Sequence, residues 1–137
     1  MIWLAVHLVS VAVLAGVGWV VQMVVYPAFR LVGADGWAQY HTAHTRAITR
    51  VVALPWLAQG ISTAALLLAR PGGLLPVGVL AALAVITVAT TVVTAVPAHG
   101  RLAAAREPAD VTLLLRANLV RTLAWTGSTV LAAALLI

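Results

Sequence analysis

From Ile2 to Tyr26 the chain carries no charged side chain, and only His7, Ser10 and Gln22 interrupt it as strongly polar groups. The hydrocarbon core of a bilayer is crossed by a helix of about 20 apolar residues. Three further stretches are long and mostly apolar, over about 48–69, 74–96 and 111–137, with Arg50, Arg116 and Arg121 inside them. Composition agrees: 64% of the 137 residues are hydrophobic and 8% are charged, against roughly 25% charged in a soluble domain. The expected fold is all-α, an integral membrane antiparallel four-helix bundle forming one domain over 1–137.

The punctuation between the runs is specific. Pro27 should end the first span, because proline lacks the N–H that continues a helix. Arg70-Pro71-Gly72-Gly73 is a tight turn, and Pro97-Ala98-His99-Gly100 closes the third run. Between the first two spans, Trp37, Tyr40, His41, His44 and Ile48 fall at helical spacing. The second helix should therefore begin near Gly36, with Asp35 as its N-cap. Pro55 should bend it.

Charge sets orientation rather than nucleic-acid binding. All eight basic residues are Arg, and the formal net charge is +5. Arg30, Arg46 and Arg50 lie in or beside the first connection, and Arg101, Arg106 and Arg116 lie in or beside the third; the opposite side has Arg70 alone. Cytoplasmic loops collect such residues. Both termini should thus face outward, with the protein in a bacterial inner (cytoplasmic) membrane. The partners expected are the lipid bilayer and a lipophilic small molecule, with no nucleic acid. A homo-oligomer is compatible with four short helices but not required. The first run lacks a basic leading segment and a small-residue cleavage site, so it reads as a retained helix. There is no cysteine, which removes disulfide and thiolate chemistry.

Polar groups within apolar runs are costly and mark function. Gln22 and Tyr26 lie one turn apart, His41 and His44 share a helix face, and Asn118, Arg121, Thr122 and Trp125 form one stripe. With His99 they converge on the side that holds most arginines. His41, His44 and His99 are candidate metal ligands, since imidazole suits iron, copper and zinc; interfacial hydrogen bonding is the plainer role. Iron, copper, haem or no cofactor at all stay open. Arg121 could stabilise an anion in a dry pocket or cap carbonyls structurally. The threonines from Thr87 to Thr94 read as helix packing. His7 lies about 28 Å from residue 26 along the helix, and reads as an interfacial residue, with a second metal or haem site as the alternative.

Three short motifs carry a family resemblance: Tyr26-Pro27-Ala28, Val96-Pro97-Ala98-His99 and Asn118-x-x-Arg121-Thr122. Together they resemble the anthrone-oxygenase-like family of small four-helix membrane proteins. In that family Asn is typical where this chain has His99. A second similarity, through His7 and Gly16-x-Gly18-Trp19, is to copper-resistance or haem-type four-helix membrane proteins. The first resemblance implies oxidation of an activated methylene of an aromatic compound by molecular oxygen. Arg121 and Asn118 would then hold a phenolate or enolate, and His41 or His44 would act as general base. Gln22, Tyr26, Arg50 and Trp125 are the accompanying substrate-contact candidates. A non-catalytic metal- or haem-binding membrane protein, and a structural membrane subunit, remain the alternatives.

Overall fold

The computed structural model describes residues 1–137 and contains helices only. Four long helices form in order: α1 (Ile2–Leu31), α2 (Ala34–Ala69), α3 (Leu74–Ala104) and α4 (Pro108–Ala134). By length and composition α1, α2 and α3 could each cross a membrane. The expectation was four such spans. α4 is long enough, but Arg116, Asn118, Arg121, Thr122 and Ser128 break its apolar run.

α1 packs along α2 and α4, and α3 packs along α4 and α2. One apolar cluster joins Leu4, Leu66, Val77, Leu80 and Ala132. A second, at the other end, joins Val21, Tyr26, Phe29, Trp37, Ala98, Leu102, Val111 and Leu114. The start of α1 therefore meets the end of α2, the start of α3 and the end of α4. Exposure is inverted relative to a water-soluble domain. Val9, Met23, Leu54, Leu57, Leu68, Val85, Val93 and Val130 lie on the outside, whereas His7, Gln59, Ser62, Asn118 and Thr122 are buried.

Neither proline ends its helix. α1 runs through Pro27 to Leu31, and α3 runs through Pro97 to Ala104. Each proline is preceded by a π-helical turn, Val21–Val25 or Thr91–Ala95. Tyr26 N–H bonds to the Val21 carbonyl, and Val96 N–H to that of Thr91. Widening the helix by one residue accommodates the missing proline N–H, so the helix continues where an α-only ladder would break. The two turns stand at matching points of the two hairpins.

α2 starts at Ala34, two residues earlier than its pattern suggests, and continues without interruption through Pro55. Gly33, not Asp35, occupies the cap; Asp35 lies in the first turn, where its charge suits the positive helix end. The α2–α3 turn places Arg70, Gly72 and Gly73 at positive φ, which requires glycine at the latter two. At the other end Arg106 donates to the carbonyls of Phe29, Arg30 and Val32, tying the α3–α4 connection to the end of α1. Arg101 and Asp110 bridge the same connection at 2.6 Å.

Candidate functional site

A cavity of about 310 Å³ opens where α1 widens beside α4. Leu14, Val17, Val21, Ile48, Val52, Trp56, Ala95 and Val96 give it apolar walls. Tyr26, Thr91, His99, Asn118 and Arg121 supply its polar groups.

Close contact between α1 and α4 builds the floor. Gly18 lies against Thr122, so close that a Cβ there would collide with the threonine side chain. This approach lets Asn118 Nδ2 donate to the Gly18 carbonyl (3.0 Å) and to Gln22 Oε1 (2.9 Å). Both donors of the Asn118 amide are thus engaged, and Oδ1 accepts from Arg121 Nη2 at 3.4 Å. Arg121 Nη1 donates to Thr91 Oγ1 at 3.1 Å, and that hydroxyl spends its own proton on the Thr87 carbonyl. The guanidinium is held in place by neutral oxygens. Its Nε is buried with no partner. The sole ion pair between side chains is Arg101–Asp110, at the connection. An uncompensated positive charge in an apolar wall favours a ligand that carries or develops negative charge.

Opposite stands a chain of hydrogen-bonding rings. Tyr26 OH lies 3.2 Å from His99 Nε2, and His99 Nδ1 lies 3.2 Å from His41 Nε2. A neutral imidazole has one donor and one acceptor nitrogen. His99 therefore joins its neighbours in one direction or the reverse, and switching direction moves a proton along the chain. Phe29 packs edge-on to His41 and His44, and Trp37 packs on His41 while donating to the Leu102 carbonyl. The π turn before Pro97 sets the face of α3 that His99 occupies.

No family model, curated protein or solved structure matches the chain. The geometry itself therefore carries the functional argument.

Of the residues singled out from the sequence, Tyr26, His99, Asn118, Arg121 and Trp125 line the cavity. His41 sits behind His99, and Gln22 behind Asn118. His44 stacks on His99 with ring centroids 6.3 Å apart but does not line the cavity, and its Nε2 is buried without a partner. Arg50 is exposed and outside the cavity. The three histidines are gathered, yet no trio of His, Asp or Glu side chains is arranged to hold a metal ion. His41 and His99 instead turn ring nitrogens to each other. His7 is fully buried between α1 and α2: its Nδ1 lies 3.2 Å from Ser62 Oγ and 3.4 Å from Thr63 Oγ1.

Three residues escaped the sequence reading. Thr91, taken as packing, holds Arg121. Trp56 forms part of the wall. Gln59 accepts from Trp125 Nε1 at 3.0 Å. The signal for Gln59 was present, as a lone amide inside an apolar run.

Proposed function

We propose that the protein is an antiparallel four-helix bundle in a membrane, with both termini outside and the cavity near the cytoplasmic face. The apolar outer surface of the helices and the arginines of two connections support this. Within that frame it acts as an oxygenase on a lipophilic, weakly acidic small molecule that the cavity binds and deprotonates. The observation that carries the reading is Arg121, a guanidinium without a carboxylate partner in the wall of an apolar cavity.

The groups facing the cavity support the following course of reaction. A methylene activated by an adjacent aromatic ketone loses a proton to His99, directly or through the Tyr26 hydroxyl. His99 accepts at Nε2 and donates at Nδ1 to His41, which keeps the ring neutral overall. Arg121, positioned by Asn118 and Thr91, stabilises the enolate oxygen. The carbanion carbon adds to molecular oxygen, giving a peroxide anion that regains a proton as hydroperoxide. Loss of the second C–H proton with O–O cleavage gives the ketone and water. The net change is CH2 + O2 → C=O + H2O. The base is assigned to His99 in place of His41 or His44, because His99 is the imidazole that reaches the cavity.

The test is oxygen uptake by the purified, detergent-solubilised protein with anthrone as substrate, after its metal content and visible spectrum have been recorded. One oxygen consumed per ketone formed, lost in Arg121→Gln, is the expected result. No uptake above the spontaneous rate removes the oxygenase reading. Stoichiometric iron or copper, or a Soret band, would move the assignment to metal- or haem-based chemistry.

A further inference from the structure

A second concavity, about 630 Å³, lies on the outer face of the seam between α2 and α3. Ala53 and Trp56 line both it and the cavity. The seam is wide because small residues face it: Gly60, Ala64 and Ala84. A Cβ added at Gly60 would meet nothing within 4 Å.

The floor of this groove is not apolar throughout. Gln59 lines it and is 1% exposed. An indole N–H can only donate, so the Trp125 bond fixes the carbonyl end of the Gln59 amide and leaves Nε2 as the other end. That Nε2 is buried and has no partner. A buried donor left unmade is costly, and a ligand acceptor would satisfy it. Trp125, the partner of Gln59, lines the cavity. One amide thus stands between the two spaces, anchored to the cavity wall at one end and unpaired at the other.

We infer that the α2–α3 groove is the lateral mouth of the cavity and a binding station for a lipophilic carbonyl compound, whose oxygen accepts a hydrogen bond from Gln59. The inference rests on the proposed function for what lies beyond the mouth. A carbonyl-bearing aromatic dissolved in the bilayer would slide between the small residues, exchange its lack of partners in lipid for the amide of Gln59, and pass Trp56.

Photolabelling tests it, using the full chain in phosphatidylcholine vesicles and benzophenone as probe. Benzophenone is itself a lipophilic ketone, and under ultraviolet light it bonds to neighbouring C–H groups; peptide mass spectrometry locates the adducts. Adducts are expected in the groove, around Trp56–Ala64 and Ala84–Val88, and in the cavity walls. Gly60→Leu, which fills open space, should abolish groove labelling and reduce cavity labelling with it. Gln59→Leu should weaken groove labelling about fivefold, the loss expected for one neutral hydrogen bond. Groove labelling no denser than on other outward faces, or cavity labelling unchanged in Gly60→Leu, would overturn the inference. Groove adducts sensitive to both α2 variants, with none in the cavity, would keep the binding station and overturn the catalytic reading instead.

Discussion

Arg121 is the residue on which the functional reading turns, and its role separates cleanly from a structural one. Its two hydrogen-bond acceptors, Thr91 and Asn118, are neutral. Arg121→Gln can retain a donor towards them while removing the charge. Anthrone oxidation should then fall by about 10²–10³ in kcat, the scale of losing one donor to a developing oxyanion, with the unfolding midpoint little changed. A protein that unfolds earlier and oxidises anthrone normally would make Arg121 a structural cap. Gly18 behaves in the opposite way. A methyl group there strikes Thr122, so Gly18→Ala should destabilise by about 1–3 kcal/mol, the usual cost of overpacking. Adding Thr122→Ala should restore much of the loss, since the threonine hydroxyl is buried without a partner. Unfolding in mixed micelles with increasing dodecyl sulfate measures both variants. Arg121 was legible as a candidate from its charge inside an apolar run. The closeness of Gly18 to Thr122 was not, because it depends on how two helices distant in sequence face each other.

At the scale of elements, the widened turns of α1 and α3 decide which side chains reach the cavity. A π turn holds one residue more than the α-helix it interrupts, and each residue advances the face by about 100°. Removing one residue inside Thr91–Ala95 should close the widened turn while His99 keeps its face, at a cost of about 3 kcal/mol for carrying Pro97 in a regular α-helix. Removing one residue upstream of that turn should rotate His99 away instead. Deletion of Val93, which is exposed, should therefore lower the unfolding midpoint and yet retain measurable anthrone oxidation. Deletion of Val85, also exposed, should abolish it. Equal loss in both would show that the widened turn does not set the register. The helices themselves were readable from hydropathy alone. Their ends were not: proline signals a break locally, and the chain kept each helix intact by inserting a residue ahead of it. The Tyr26–His99 contact depends on the continuity of α3, since a helix ending at Pro97 would leave His99 in a loop. His44 packs directly on Tyr26, Phe29 and His99 without lining the cavity, because residues three apart on a helix are offset by about 60° and His44 turns away from the opening that His99 reaches.

The whole molecule places its charges unevenly, and this permits a test independent of any substrate. The α1–α2 and α3–α4 connections carry the arginines, and Arg106 ties them together, whereas the α2–α3 turn carries Arg70 alone. The polar cavity groups lie at the arginine-rich end, along with the aromatic cluster of Phe29 and Trp37. Membrane insertion in the proposed sense puts that end in the cytoplasm. α4 is the element that makes this worth measuring, because Arg116, Asn118 and Arg121 leave it less apolar than its three neighbours. If α4 crosses, it does so by packing its polar stripe against α1 and α3, where Gly18, Gln22 and Thr91 receive it. The absence of cysteine allows single thiols to be introduced as unique reporters. Glu107→Cys places one in the α3–α4 connection, and Ile137→Cys places one at the exposed C-terminus. A membrane-impermeant maleimide applied to intact cells should label the Ile137→Cys protein and leave Glu107→Cys unlabelled until the membrane is opened. Both positions labelled from outside would mean that α4 does not cross. The reverse pattern would turn the molecule over and place the cavity at the outer face, where a substrate would have to arrive from outside the cell.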